Sequence, residues 1–306
     1  MAVDAFGRRM ATASPALGSL ITTDGQLQWR TLLLGRGTPY RWQSLTGWRR
    51  MVDVDSGDVD RPATHGAWPG RWLARSRIVT LAGMVVAARA DMGDVLDALE
   101  AVTALGEDAT EYPLVVQSLG RRLMAWGRVS GYEVALDAQV TAGSAPLALQ
   151  WTCTDPRRYS VGEYLLHLSI AAAAVDGLHY PLVYPLDYGA SAVVISTGTA
   201  TNAGTAPCAP TLTITGPIEG PLVVNQTTGA QLEYDITLTA TDTLTIDCQA
   251  GTVLLNGTAD RAYTATPASW PPASFAIGAG DNTIALRALS ASPGNGLDLT
   301  WRDGWW

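Results

Sequence analysis

Short runs in which apolar and polar residues alternate, separated by turn residues, dominate the last third of the chain. In Thr243-Leu-Thr-Ile-Asp-Cys248, the side chains of Leu244, Ile246 and Cys248 fall on one face, and Thr243, Thr245 and Asp247 fall on the other. Successive strand side chains point to opposite sides, so this is the pattern of a half-buried strand. The same reading holds for Thr252–Asn256, Asn282–Arg287 and Gly296–Trp301, where Leu297, Leu299 and Trp301 share a face. Turn chemistry joins these runs at Gly251-Thr252, Asn256-Gly257, Gly278-Ala-Gly280-Asp281 and Pro293-Gly-Asn-Gly296. Ala192–Ser196, Thr211–Thr215, Leu222–Asn225 and Gln231–Leu238 add strands upstream. About eight to ten strands spaced about 8 to 12 residues apart predict a β-sandwich.

From Leu27 to about Thr154 the pattern is mixed, with strands dominating and one helix. Arg77–Ala88 is rich in β-branched residues and reads as a strand, with Gly83 as a bulge or close-packing point. Between Asp91 and Gly106, the residues Val95, Leu99, Val102 and Leu105 recur at helical spacing. Asp91 is placed as N-cap, Asp94 and Asp97 face the positive end of the dipole, and Gly106 is placed as the stop. Tyr112–Ser118, Arg121–Val129, Tyr132–Asp137 and Leu147–Thr154 then read as an antiparallel meander, with turns at Leu119-Gly120, Ser130-Gly131 and Gly143-Ser144. Asp155-Pro-Arg-Arg-Tyr-Ser160 stops the last strand.

Repeated X-Pro units in Tyr180-Pro-Leu-Val-Tyr-Pro-Leu-Asp-Tyr188 favour an extended connector. The expected organisation is therefore an N-terminal β-sandwich domain with one helix over residues 1–160, a proline-containing connector over 161–190, and a C-terminal β-sandwich over 191–306. At 306 residues the chain has the length for two such cores.

The composition narrows the function. Charged residues make up 16% of the chain against 47% hydrophobic, so much of the surface is neutral. A formal net charge of −8 argues against a nucleic-acid binder, which needs a basic face for phosphate. All 20 Lys+Arg residues are arginine, a bias that a GC-rich genome produces without selection on chemistry. The arginines concentrate before residue 160, among them Arg49-Arg50, Arg71, Arg75, Arg77, Arg121-Arg122 and Arg157-Arg158, which suits an electrostatic docking surface. No run has the length of a membrane span, and the opening residues lack a secretory pattern, so folding in a cytoplasm without membrane insertion is expected.

Catalytic chemistry finds no foothold. A nucleophilic triad needs a histidine base, and His65, His167 and His179 have no metal-type or nucleophile-type neighbours in sequence. His65, in Arg61–Gly66, reads as an exposed turn. No phosphate loop, dinucleotide fingerprint or calcium loop is present. The aspartates occupy turns and caps. Cys153, Cys208 and Cys248 are widely spaced and fit neither a disulfide framework nor a zinc site; Cys153 and Cys248 read as small core residues. Asn225-Gln-Thr227 and Asn256-Gly-Thr258 read as turns. No catalytic residue, cofactor or metal is expected. Among the 11 tryptophans, Trp126, Trp151 and Trp301 read as core, and Trp270 beside Pro271-Pro272 as a loop candidate for stacking on a sugar.

Several segments in order resemble the distal tail proteins of long-tailed bacteriophages infecting actinobacteria, the minor tail proteins of the siphovirus-type tail component family. They are Trp42–Trp48, Arg61–Gly70, Ile78–Leu105, Trp151–Ser160, Tyr180–Tyr188, Asn202–Pro207 leading to Thr211–Pro217, Asp242–Asp247, Val253–Gly257, Gly280–Ile284 and Trp301–Trp305. The resemblance implies an N-terminal β-sandwich with a helix that forms a ring, usually hexameric, at the lower end of the tail tube. It also implies a C-terminal galectin-like or carbohydrate-module-like sandwich, and no catalytic residues. The long Asp-rich loop near Asp53–Asp60 and the stretch Ala268–Ala273 depart from it, so peripheral contacts are expected to differ.

Two functions follow as expectations. The first is a structural hub of the virion at the tail tip, assembled in the host cytoplasm, whose partners are further copies of itself, the tail tube protein, the tail-tip hub protein and the tape measure protein. Its interface would use Arg49, Arg50, Arg71 and Arg75, with Trp305 and Trp306 as anchors. The second is a carbohydrate-binding protein that holds host cell-wall glycans through the C-terminal sandwich and Trp270.

Overall fold

The computed structural model describes residues 15–135, 137–170, 194–292 and 295–306, and the chain divides into two compact units, one of Met1–Val161 with Trp306 and one of Gly162–Trp305. The proline segment Tyr180–Tyr188 and the N-terminal 14 residues lie outside the described residues.

The first unit is built of antiparallel strands. In chain order they are β1 (Gln26–Trp29), β2 (Leu32–Gly35), β3 (Tyr40–Thr46), β4 (Val54–Ser56), β5 (Val59–Asp60), β6 (Ala67–Trp68), β7 (Trp72–Ala74) and β8 (Arg77–Val86). Helix α1 (Met92–Thr103) follows, then β9 (Tyr112–Ser118), β10 (Arg121–Val134), β11 (Ser144–Cys153) and β12 (Arg158–Ser160). The main path of hydrogen-bonded neighbours is β2-β1-β9-β10-β11-β8-β3, with β12 beside β10.

One strand serves both halves of this path. The first part of β10 pairs with β9, from Arg121 opposite Ser118 to Gly127 opposite Tyr112, and its second part pairs with β11, from Arg128 opposite Thr152 to Val134 opposite Leu147. Where the sequence predicts two strands joined by a Ser130-Gly131 turn, the chain continues as a single strand with a register shift between Val129 and Gly131. Ser130 is the extra residue of a bulge, which bends a strand and strengthens its twist without reversing it. Gly127 sits where the strand changes partners: a Cβ there would lie 2.8 Å from Cys153 Sγ. Gly83 is the close-packing point expected of it, since a Cβ would meet the Arg41 carbonyl at 2.2 Å, and the irregularity opposite it lies in β3 between Trp42 and Ser44.

The core of this unit centres on Trp29. Its ring lies edge-on to Trp151, with centroids 5.9 Å apart, and to Tyr112 at 6.1 Å. Its indole N–H donates to the Val102 carbonyl at 3.1 Å, and the Tyr40 hydroxyl donates to the Val95 carbonyl at 2.7 Å, so two aromatic residues hold α1 against the sheet. On the helix, Met92, Leu99 and Thr103 are buried and Val95 and Val102 half-buried, which bears out three of the four expected stripe positions. Leu105 lies beyond the last turn and is 89% exposed, because the helix stops at Thr103 before Gly106 is reached. Asp91 occupies the N-cap position but makes no side-chain capping bond.

Strand β1 is buried along its length. Leu27 and Trp29 face the core, while Gln26 and Gln28 on the other side bind the preceding segment: the Gln26 side-chain oxygen accepts from the Thr22 amide at 2.8 Å, and that of Gln28 from the Leu20 amide at 3.1 Å. Hydrogen-bonded amides satisfy what a buried polar face requires. Trp126 departs from its expected core role. It alternates with buried Ala125 and Gly127 on β10, and the pleat leaves it 37% exposed.

The second unit is a sandwich. Its strands are β13 (Tyr164–Ser169), β14 (Val194–Asn202), β15 (Thr211–Thr215), β16 (Ile218–Glu219), β17 (Leu222–Asn225), β18 (Ala230–Glu233), β19 (Thr237–Leu238), β20 (Thr243–Asp247), β21 (Thr252–Leu255), β22 (Ala259–Asp260), β23 (Gly280–Ala288), β24 (Ser290–Ala291), β25 (Gly296–Trp301) and β26 (Gly304–Trp305). One sheet runs β13-β25-β15-β20-β21-β22, the other β14-β23-β17-β18, and a small sheet runs β19-β16-β24. Tyr164–Ser169, within the expected connector, is thus a strand of this sandwich, paired with β25 from Tyr164 opposite Trp301 to Ser169 opposite Gly296.

The alternation read from the sequence is realised: Leu244, Ile246, Cys248, Leu297, Leu299 and Trp301 are all buried. At Asn256-Gly257 both residues have positive φ, 53° and 73°, the left-handed pair that a tight hairpin turn needs. The turn expected at Asn225-Gln-Thr227 is present over residues 226–229, with Asn225 itself fully buried at the end of β17.

Candidate interaction surfaces

The segment between β3 and β8 leaves the body of the first unit as an arm. Strand β4 pairs with β7, and β5 pairs with β6, with Val59 opposite Trp68 and Asp60 opposite Ala67. The signal was present in the sequence, because Val52-Asp-Val-Asp55 and Asp58-Val-Asp60 alternate with period two on either side of Ser56-Gly57. A loop reading of Asp53–Asp60 overlooks it. The Arg61–Gly66 turn with His65 is exposed, as expected, and closes the tip between β5 and β6.

The base of the arm is gripped by one buried cation. Arg77, 2% exposed, donates from Nε to the Pro156 carbonyl at 2.7 Å and from Nη1 to the carbonyls of Gly47 at 2.7 Å, Arg50 at 2.9 Å and Trp48 at 3.3 Å. Gly47, with φ of 79°, sits so close to β8 that a Cβ would overlap the Ile78 carbonyl. Burial pushes the Arg77 guanidinium below its ordinary range.

Beyond that base the arm has no core. Met51, Val54, Val59, Trp68, Trp72 and Leu73 are all exposed, Trp68 to 52% and Trp72 to 59%. A two-stranded ribbon is marginal alone in water. Large aromatic and aliphatic side chains left in solvent mark contact surfaces. The arginines nominated from sequence are here: Arg50 pairs with Asp53 at 3.0 Å, Arg75 faces Asp55 at 3.5 Å, and Arg71 is exposed on the same ribbon. Arg49 lies at the base, one of three arginines, with Arg77 and Arg121, whose charge adds to burial in pushing the Arg158 guanidinium down to about 10.

Trp305 is half-buried in β26, whose Gly304 bridges to Ala206 in the second unit, while Trp306 is exposed and groups with the first unit. Trp270 is 44% exposed on the second unit, its amide donating to the Gln231 carbonyl at 2.8 Å along the edge of β18.

A second surface of the first unit is concave. A cavity of about 360 Å³ is lined by Trp29, Val102, Leu105, Tyr112 and Val129, with Arg30 and Arg128 among its polar residues. Arg30 has φ of 52°, uncommon for a side-chain-bearing residue, and its guanidinium lies 4.6 Å from the Tyr112 ring centre. Asp108, the one carboxylate of the lining, is held below the usual carboxylate range by the hydroxyl and amide of Thr110.

Among the described residues no group of three or more His, Cys, Asp or Glu side chains is placed to hold a metal ion, and no helix is long and apolar enough to cross a membrane. His167 pairs with Asp298 across β13 and β25 at 2.6 Å, on an exposed face. Cys153, Cys208 and Cys248 are buried free thiols, and burial pushes Cys153 and Cys248 up to about 12, which removes their thiolate at neutral pH.

Residues 203–305 match the family model described as siphovirus-type tail component, C-terminal domain. Among solved structures, the Dit protein (gp 19.1) of phage SPP1, titled a paradigm of the hub adsorption apparatus in phages infecting Gram-positive bacteria, matches with 12% identity. It covers 92% of this chain and 99% of its own, with a TM-score of 0.61. The baseplate of phage P2 in its activated conformation with calcium matches with 8% identity over 85% of this chain and 89% of its own, at a TM-score of 0.45. No curated protein matches this chain in sequence. Residues 203–305 thus carry the sequence signature of a siphovirus-type tail component C-terminal domain, and the chain shares its fold with the SPP1 Dit protein over most of its length.

Proposed function

We propose that this protein is a structural component of a long non-contractile phage tail, a homo-oligomeric ring of six copies that joins the tail tube to the tail-tip proteins. The observation that carries this reading is the arm: its base is fixed by Arg77, while its apolar and arginine side chains find no cover within their own unit. Such a surface marks a site of contact with a partner. The SPP1 protein is described as a hub of an adsorption apparatus, and the shared fold supports carrying that role to this chain.

The partners under this reading are further copies of the chain, the tail tube protein, the tail-tip hub protein and the tape measure protein. The particle is assembled in the host cytoplasm, and the protein performs no catalysis. Arg49, Arg50, Arg71 and Arg75 lie at subunit or partner contacts, with Trp305 and Trp306 as anchors. Native mass spectrometry of the purified protein, with antibody labelling of virions, tests it. A discrete hexamer and label confined to the tail tip are expected; a strict monomer with no tail-tip label overturns it.

A second reading, attachment to host cell-wall glycans, is favoured by the half-exposed Trp270. Glycan-array binding that disappears in Trp270→Ala supports it, and an array without signal removes it.

A further inference from the structure

The arm tip and the cavity at the end of α1 are unlike surfaces of one unit, and each supplies what the other lacks. At the tip, Val59 and Trp68 stand opposite one another on β5 and β6, both exposed, and Asp58 and Asp60 flank Val59 in sequence. The cavity offers the reverse: apolar walls that include the exposed Leu105, with the two cations of Arg30 and Arg128 against the single carboxylate of Asp108. Its volume of about 360 Å³ lies within the range of pockets that take a compact guest.

We propose that the arm tip of one copy seats in this cavity of the next copy, Val59 and Trp68 against the apolar wall and the two aspartates towards Arg30 and Arg128. The occupant is a second copy of this chain because the matching charge and the matching apolar knob are both on the chain itself. Donor and acceptor surfaces are different patches, so the contact is heterologous. Each copy gives one tip and receives one, and such a contact propagates head to tail until the rotation closes it into a ring. The inference rests on the homo-oligomeric reading and adds to it the surfaces that touch.

The test uses exposed positions, whose change leaves the fold intact; unchanged circular dichroism and thermal melting verify this. Trp68→Ser removes the knob, and Leu105→Arg blocks the cavity mouth. By native mass spectrometry and sedimentation, each variant alone is expected to be monomeric where the wild type is oligomeric. An equimolar mixture, which holds one intact tip and one intact cavity, is expected to give a 1:1 heterodimer and nothing larger. Asp60→Arg and Arg128→Glu are each expected to weaken assembly about tenfold, and the double variant to restore it. Variants that assemble like the wild type, or a mixture that yields no heterodimer, overturn this contact and leave the oligomeric reading standing. A wild type that stays monomeric overturns both.

Discussion

The side-chain amide of Asn225 donates to the side-chain oxygen of Asn282 at 3.2 Å, with both residues fully buried in the second unit. Asn282 also donates to the carbonyls of Gly278 at 2.8 Å and Gly280 at 3.0 Å, and Asn225 accepts from the amides of Thr227 and Thr228. The pair therefore fixes two loops by binding their backbone groups. Replacing Asn282 by Ala strands those carbonyls and is expected to cost about 2–4 kcal/mol. Asn282→Asp is expected to be as damaging, since a carboxylate has no N–H for either carbonyl. Denaturant unfolding followed by tryptophan fluorescence measures both.

Arg77 is expected to govern the arm without touching its tip. Arg77→Met leaves the carbonyls of Gly47, Trp48, Arg50 and Pro156 without their donor, at a cost of about 3 kcal/mol, and loosens the base of the arm. Trypsin then cuts faster after Arg49, Arg50, Arg71 and Arg75. Arg77→Lys is expected to fall between, because one ammonium cannot span the sites a guanidinium fork reaches. Cleavage of the Met variant at the wild-type rate contradicts this anchoring role.

The thiols respond to unfolding and not to mild alkali. With Cys153 and Cys248 pushed up to about 12 by burial, a thiol reagent at pH 8 is expected to label neither in the native protein and all three cysteines in denaturant. Rapid native labelling at Cys153 excludes the packing around Gly127.

Asp242 supplies a pH-dependent term. Its carboxylate accepts from the Thr239 hydroxyl and amide and from the Asn256 amide, which pushes its pKa down to about 2. A folded value below the unfolded one means the stabilisation is present above the unfolded range, near 4, and is lost as the pH falls through about 2. Asp242→Asn is therefore expected to lower the melting temperature at pH 7, with the gap to wild type closing on acidification. A gap that is constant from pH 7 to pH 2 contradicts it.

Local patterns carried most of the secondary structure. The strands through Leu244, Leu297 and Trp301 were legible because burial on one face imposes period two, and α1 because Val95, Leu99 and Val102 recur at helical spacing. The bulge at Ser130 was not, since Ser-Gly serves a bulge as well as a turn, and only the partner strand β11 distinguishes them. Trp126 and Trp151 look alike in sequence, yet one is exposed and the other buried, because the pleat of the finished sheet chooses the face.

The candidate surfaces divide in the same way. The arginines were visible as a cluster before residue 160, but that Arg77 is the buried grip and Arg50, Arg71 and Arg75 ride the exposed ribbon required the fold. Trp68 and Trp72 became interface candidates only once the arm was seen to lack a core. By itself, the sequence determined the mainly-β content and helix α1, which follow from local periodicity and residue chemistry, and its ordered motifs carried the family resemblance. Tertiary structure alone decided which strand spans two partners, which asparagines lock loops, and which apolar groups stay in water, because each depends on contacts between residues far apart in the chain.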